Sequence, residues 1–260
     1  MEVLVSCMNK SKDLYNEMNI QTNAIIVNQN NDVFSFENHT INNHRCRIFN
    51  MIEKGVGLSR NNALMRAKDD ILVMADDDEV FVDGYEKIIL EAYEKNPKAD
   101  MIVFDVRIHE GNIINNRVKK NGRVNFFNSL KYGTVTFTFR KKSILKNNIF
   151  FSLLFGGGSK YMSGEDSIFI SEVLRKGLRV YSCAEVIADV YNDESSWFTG
   201  YNAQYLIHRG ALFSAINQKM SIFLIIQFAL RKRKLFSEYS VRQMVCLMLK
   251  GKAEFEQTIN

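Results

Sequence analysis

Apolar residues along this chain come in short unbroken runs and in stripes at helical spacing, and over the first hundred residues the two patterns alternate. The runs at 2–7, 23–27, 71–74 and 100–106 predict strands, and 71–74 reads as a strand buried on both faces. Between them, residues 13–18 predict a short helix and residues 57–67 a longer one with Ser59 as its N-cap. Tyr85, Ile88, Ile89, Ala92 and Tyr93 then form the stripe of a helix that Asp83 and Glu86 open as an approximate capping box and Pro97 stops. Such alternation is the pattern of a mostly parallel sheet with helices on its faces.

Residues 31–56 are polar and predict no element, while 107–131, also polar, leave room for a small β-ribbon. Residues 134–140 alternate like a strand, with a short helix after them at 143–146. Ser163 predicts the cap of a helix carrying Ile168, Phe169, Ile170, Val173 and Leu174, which Gly177 ends. Two short strands follow, at 178–181 and 186–190. From Trp197 onward the pattern turns helical. Residues 222–230 are apolar except for Gln227, too short a run to span a bilayer. A basic cluster at 231–234 comes next, then a helix with Val241, Met244, Val245 and Met248 on one face. The division this predicts is an α/β domain over 1–195 and a helical C-terminal appendage over 196–260.

Composition narrows the class more than the function. The 46% apolar and 24% charged content is that of a globular protein, and one proline with 14 glycines argues against long linkers. The first ten residues lack a basic region and a cleavage site, so they read as a strand and not as a signal peptide. Cys7, Cys46, Cys183 and Cys246 are scattered, with no CxxC pair, which points to reduced thiols and a cytoplasmic protein. The net charge of +5 is spread along the chain, and no nucleic-acid-binding signature is present, which argues against a nucleic-acid partner.

The chemistry concentrates at two places. The strand at 71–74 runs into Ala75 and then Asp76, Asp77 and Asp78. Carboxylates at the carboxyl end of a strand lie where open α/β sheets bind ligands. Alternation along an extended chain sends Asp76 and Asp78 to one side, where two carboxylates call for a cation, and all-oxygen ligation suits Mg²⁺ or Mn²⁺. The plain alternative is a solvated acidic turn. The second place is Gly164-Glu165-Asp166, with Asp166 three residues after Ser163. That spacing is a capping box, and equally a way to hold an ionised carboxylate at a helix N-terminus as a general base. No glycine-rich phosphate loop follows the first strand, so a bound diphosphate needs another counter-charge. Carboxylates for a metal, no phosphate loop, and an acidic pair at a later helix start together suit sugar transfer from a nucleotide diphosphate.

The segments GLSRNNALMRAKDDILVMADDDEVFVDGY and GGGSKYMSGEDSIFISEVLRKG resemble the core and the acidic acceptor-side motif of family 2 glycosyltransferases, over roughly residues 1–190. The resemblance implies a GT-A fold and an inverting transfer from a nucleotide-diphosphate sugar to a hydroxyl of a glycan, free or lipid-linked, in cell-envelope polysaccharide synthesis. It implies Mn²⁺ or Mg²⁺ at Asp76 and Asp78, proton transfer at the Glu165–Asp166 pair with Asp166 as base, and nucleotide-sugar contacts at Cys7, Asn28, Ser59, Arg60, Asp76 and Asp77. One departure stands out. The second strand ends in Asn28, Gln29 and Asn30, where family members often place aspartates that read the base. The competing readings are a metal-dependent nucleotidyltransferase and a non-catalytic glycan-binding module.

Other residues carry less. Gly156 to Gly158 read as a flexible loop or as room for substrate, His208 as a late metal ligand or a structural histidine, and Trp197 as an acceptor-site wall or a core residue. Asp105 and His109 have no evident partner in the sequence. The apolar run beside residues 231–234 has three readings: a peripheral contact with the anionic inner face of a membrane, a helix packed on the domain, or a homodimer interface.

Overall fold

A computed structural model of the chain describes residues 1–30, 34–111, 113–191 and 200–259. In chain order the strands are β1 (Glu2–Met8), β2 (Asn23–Gln29), β3 (Ser35–Ile41), β4 (His44–Met51), β5 (Ile71–Asp76), β6 (Glu79–Phe81), β7 (Met101–Glu110), β8 (Ile113–Asn116), β9 (Gly122–Val124), β10 (Phe137–Arg140) and β11 (Val180–Tyr191). The helices are α1 (Leu14–Glu17), α2 (Val56–Arg66), α3 (Tyr85–Lys95), α4 (Phe126–Ser129), α5 (Lys141–Lys146), α6 (Glu165–Arg175), α7 (Ala203–Ile216), α8 (Ser221–Lys232) and α9 (Val241–Ile259).

The strands form one sheet in the order β3-β4-β2-β1-β5-β10-β7-β11-β6, with β8 added on β7 and β9 on β11. β4, β2, β1 and β5 run parallel; β10 lies antiparallel to both β5 and β7, and β11 parallels β7. Side-chain alternation builds a core on each face. Val3, Val5, Ala24, Ile26, Val73 and Ala75 pack on one side with Leu14 and Tyr15 of α1 and Tyr85 and Ile89 of α3. Leu4, Ile25, Val27, Leu72 and Met74 pack on the other with Ala63 and Leu64 of α2 and Phe169, Ile170 and Val173 of α6. This is the mostly parallel, helix-flanked sheet expected from the sequence.

Local readings fared less well. The polar stretch 31–56 contains the β3–β4 hairpin, whose burial alternates at the sheet edge. Residues 134–136 form a 3-10 turn ahead of a shorter strand, β10. The two strands read at 178–181 and 186–190 are one, β11, with register shifts after Cys183 and Val186. Three expected side-chain caps are absent. Gly55, Gly84 and Gly164 precede α2, α3 and α6 instead, with φ of 127°, 73° and 114°. Ser59 lies inside its helix, and Asp83 accepts from Asn19 and Gln21.

The C-terminal helices pack backbone to backbone. A Cβ on Gly210 of α7 would lie 1.9 Å from the Met248 carbonyl oxygen of α9, and one on Gly251 would lie 1.8 Å from that of Ile207. Leu212 and Phe255 carry this pair onto Phe155 and Tyr161, beside the start of α6. The boundary at 195/196 and Trp197 fall outside the described residues. No helix among the described residues is long and apolar enough to cross a membrane.

Candidate active site

The register of the central strands sets the site. Ser6 pairs with Asp76, and Cys7 with Asn28, at the carboxyl ends of β1, β5 and β2. Leu72 and Met74 face the α2/α6 side, so alternation points Asp76 the same way. There it meets Arg60, which lies on the buried face of α2 one turn from Ala63 and Leu64. The Arg60 guanidinium donates from Nη2 to Asp76 Oδ1 and Oδ2 at 2.7 and 3.0 Å, and from Nη1 to Glu165 Oε1 at 2.7 Å. Its side chain is 4% exposed, against 31% for Asp76 and 12% for Glu165. Burial pulls its pKa down, but Asp76 and Glu165 outweigh this and hold the guanidinium charged. One arginine thus ties the end of β5 to the start of α6.

Asp78 and Glu79 are left without a cationic partner of this kind among the described residues. The strand ends at Asp76, and a turn at Asp77 and Asp78 leads into β6. That turn, and not alternation along one strand, brings Asp78 to the same side as Asp76, while Asp77 reaches Lys10 Nζ at 3.5 Å. Asp78 Oδ1 is buried with no hydrogen-bond partner among the described residues. Burial, then Asp76 and Asp77, push its carboxyl up to about 6. Glu79, missed by the sequence reading although it continues the acidic run, is fully buried and accepts the Asp76 N–H at 2.7 Å. Burial and Asp76 push it well above the usual carboxylate range, which favours the neutral acid.

Asp166 sits in the first turn of α6 and accepts the Ser167 N–H at 2.6 Å. Burial and neighbouring Glu165 push it up to about 6, against the opposing pull of Arg60 and Arg209. Asp76, Asp78 and Asp166 line one cavity of about 310 Å³, together with Arg117, Lys131, Tyr132 and Gly133. That volume suits a small-molecule ligand. Arg117 and Lys131 come from the irregular stretch before β10, where nothing in the sequence marked them.

The remaining expected contacts buttress the site. Asn28 is buried and clamps the loop after β1: its Oδ1 accepts Lys10 N–H at 3.0 Å and its Nδ2 donates to the Lys10 carbonyl at 2.9 Å. Cys7 Sγ lies 3.5 Å from Asn28 Oδ1, and burial and Asp77 keep the thiol protonated. Ser59 Oγ accepts from Ser6 Oγ at 2.8 Å and lies 3.3 Å from the Val27 carbonyl, pinning α2 to β1 and β2. The glycine run is packed: a Cβ on Gly156 would lie 2.5 Å from Val56 Cγ1 and 2.9 Å from Glu165 Oε2. His208 is absent from the cavity lining; its Nδ1 accepts the Met162 N–H at 3.3 Å. His109 pairs with Asp189, and Asp105 accepts from Asn116 and from the Val118 N–H.

The donor set fits an oxygen-ligated divalent cation. Asp78 presents an orphaned oxygen and an elevated pKa, both of which a cation relieves. Among the described residues no three His, Cys, Asp or Glu side chains converge to hold a metal unaided. Asp76 and Asp78 would therefore fill part of a coordination shell and leave the rest to water or phosphate oxygens, the usual arrangement for Mg²⁺.

The profile of Glycosyl transferase family 2 matches residues 24–158. No curated protein matches the chain. Among solved structures, S. aureus TarS 1-349 in complex with UDP-GlcNAc superposes with a TM-score of 0.64 at 12% identity, over 99% of this chain and 92% of that one. The UDP complex gives 0.62 at 14% identity, over 92% and 75%. A further S. aureus TarS structure gives 0.63 at 14% identity over 89% of this chain, which spans 43% of that protein's length.

Proposed function

The chain belongs to glycosyl transferase family 2, and from that premise we propose that it transfers a sugar, with inversion, from a nucleoside-diphosphate sugar to a hydroxyl of a glycan acceptor. The acceptor class we favour is a cell-envelope polysaccharide or its lipid-linked precursor. The observation that carries the reading is the convergence of Asp76, Asp78 and Asp166 on one cavity, from elements some ninety residues apart in sequence.

Asp166 accepts the proton of the acceptor hydroxyl as that oxygen attacks the anomeric carbon. The bond from that carbon to the diphosphate oxygen breaks, and the nucleoside diphosphate leaves with the electron pair. A carboxyl poised near 6 is ionised at neutral pH yet basic enough to share a proton in the transition state. Glu165 does not act on substrate here; locked to Arg60, it fixes the start of α6 and hence Asp166. Arg60 likewise orients Asp76. A divalent cation held by Asp76 and Asp78 would offset charge on the departing diphosphate. The absence of a glycine-rich phosphate loop after β1 supports such a counter-charge. That TarS 1-349 was solved with UDP-GlcNAc supports a nucleotide-sugar donor for this fold and makes UDP-GlcNAc the first donor to test.

The deciding experiment incubates the protein with a panel of nucleotide sugars and Mn²⁺ and measures which phosphate product is released, with Asp166→Asn as control. Release of nucleoside diphosphate that the substitution abolishes supports transfer. Pyrophosphate release would instead establish a nucleotidyltransferase, and nucleotide-sugar binding without turnover on any acceptor would favour a glycan-binding module.

A further inference from the structure

α8 is apolar on two faces, and only one of them is covered. Ile225 and Ala229 are fully buried against α7 and α9, with Phe213, Met244 and Met248. Ile222, Phe223, Ile226 and Leu230 are 54%, 60%, 45% and 58% exposed. At 3.6 residues per turn these four fall within an arc of roughly 100°. A helix needs one apolar stripe to pack, and the second stripe is left uncovered by the described residues.

The charges that flank α8 along the chain, from residue 219 to 236, are of one sign. Lys219 precedes the helix and Arg231, Lys232, Arg233 and Lys234 end it, while no Asp or Glu occurs from residue 219 to 236. Lys219, Arg231, Arg233 and Lys234 are exposed. The basic cluster is therefore not spent on carboxylates of its own segment. At 12 residues α8 is about 18 Å long, well short of the ~30 Å hydrocarbon core of a bilayer. It can lie along a surface but cannot cross.

We infer that α8 docks this protein in the plane of an anionic lipid surface, with Ile222, Phe223, Ile226 and Leu230 inserted among the acyl chains and the flanking lysines and arginines on the headgroup phosphates. Long basic side chains suit this position, since their stems lie along apolar surface while their charges reach the headgroups. A second copy of the chain fits less well. A two-fold interface sets the same patch against itself, so it would bring two basic clusters together with no acid between them. The inference stands apart from the transfer chemistry, because it concerns a face built by α7, α8 and α9 and is tested without turnover.

The test is flotation of the whole chain with vesicles of phosphatidylcholine, with or without phosphatidylglycerol. Binding is expected only with phosphatidylglycerol present, and should weaken as salt rises. Replacing Arg231, Arg233 and Lys234 by Gln should reduce the partition coefficient by about fivefold per charge removed, roughly 100-fold together. Phe223→Ser with Ile226→Ser should also abolish binding, and both are surface changes that leave the melting temperature and circular dichroism of the parent. Failure to bind anionic vesicles at low salt overturns the inference. So does a concentration-dependent dimer that Phe223→Ser dissociates, which would make a second copy the occupant.

Discussion

Arg60 bonds to two of the site's acids at once, and its burial sets the scale of what its removal should cost. Replacing it with Met keeps most of the side-chain volume over the Phe151 ring but removes the cation shared by Asp76 and Glu165. Breaking a fully buried ion pair costs about 3–5 kcal/mol, because a carboxylate is left without compensation. Glu165 is 12% exposed and approaches that limit; Asp76, 31% exposed, can recover some hydration. The expected loss is therefore about 3 kcal/mol, or roughly 6–10 °C in melting temperature for a chain of this size. Arg60→Lys should cost about half as much, since one ammonium cannot bridge both carboxylates.

A double-variant cycle separates this from a packing loss. Adding Glu165→Gln to Arg60→Met removes one of the two orphaned charges, so the pair should be more stable than Arg60→Met alone by about 1–2 kcal/mol. Urea unfolding of the four proteins, with and without Glu165→Gln, measures it. If Arg60→Met costs less than about 1 kcal/mol, or if Glu165→Gln brings no recovery, the arginine is not the electrostatic tie between β5 and α6 and the reasoning fails.

Three further outcomes follow from the same geometry. Asp166→Asn should lower transfer by about 10²–10⁴-fold, and the parent's kcat/KM should rise with pH through about 6, the value to which burial lifts this carboxyl; an acid limb near 4 would remove Asp166 as the base. The stability effect has the opposite sign: a carboxyl raised from 3.8 to about 6 favours the fold fully below the lower value and loses that contribution as pH rises through the higher, so Asp166→Asn should melt no lower than the parent at neutral pH. Asp78→Asn should weaken Mn²⁺-dependent nucleotide binding by about tenfold or more without lowering metal-free stability, as titration calorimetry and melting can show together; unchanged metal dependence would return the triplet to an acidic turn. Gly57→Ala places a Cβ 2.2 Å from the Ser152 carbonyl oxygen and should cost about 1–3 kcal/mol in chemical unfolding, whereas a neutral result would show that the loop from Phe151 yields.

The sheet was legible because its central strands are buried on both faces and leave continuous apolar runs, as in ILVMAD of β5. The hairpin β3–β4 was not, because SFENHTI lies at the sheet edge with most residues in contact with water, so polar side chains cost nothing there. The misread caps share one cause. Ser59, Asp83 and Ser163 each begin a plausible local pattern, but the chain enters these helices through glycines at positive φ, and at Gly164 the constraint is tertiary. A Cβ there would lie 2.5 Å from Leu212 Cδ1 of α7, forty-odd residues on. No window of sequence around Ser163 contains that contact. For the same reason the strand-end acids could be found in the sequence, while Arg117, Lys131 and Tyr132 could not: they reach the cavity from a stretch with no periodicity of its own.

What the protein leaves unpaired is as informative as what it pairs. Five acids, Asp76, Asp78, Glu79, Glu165 and Asp166, gather between β5 and α6, and among the described residues one buried arginine bonds to them. That arginine is spent on Asp76 and Glu165, the two acids whose positions fix the strand end and the helix start. Asp78 and Asp166 hydrogen-bond to no arginine among the described residues, and burial with neighbouring acids holds each near 6 against the weaker pull of Lys10 at Asp78 and of Arg60 and Arg209 at Asp166. The cost of ionising each would be relieved differently: at Asp78 by a cation at its orphaned oxygen, at Asp166 by a proton. One acid that a cation would relieve and another that a proton would relieve, both facing the same cavity, are what the proposed transfer requires, since in it negative charge departs on one side and a hydroxyl is deprotonated on the other.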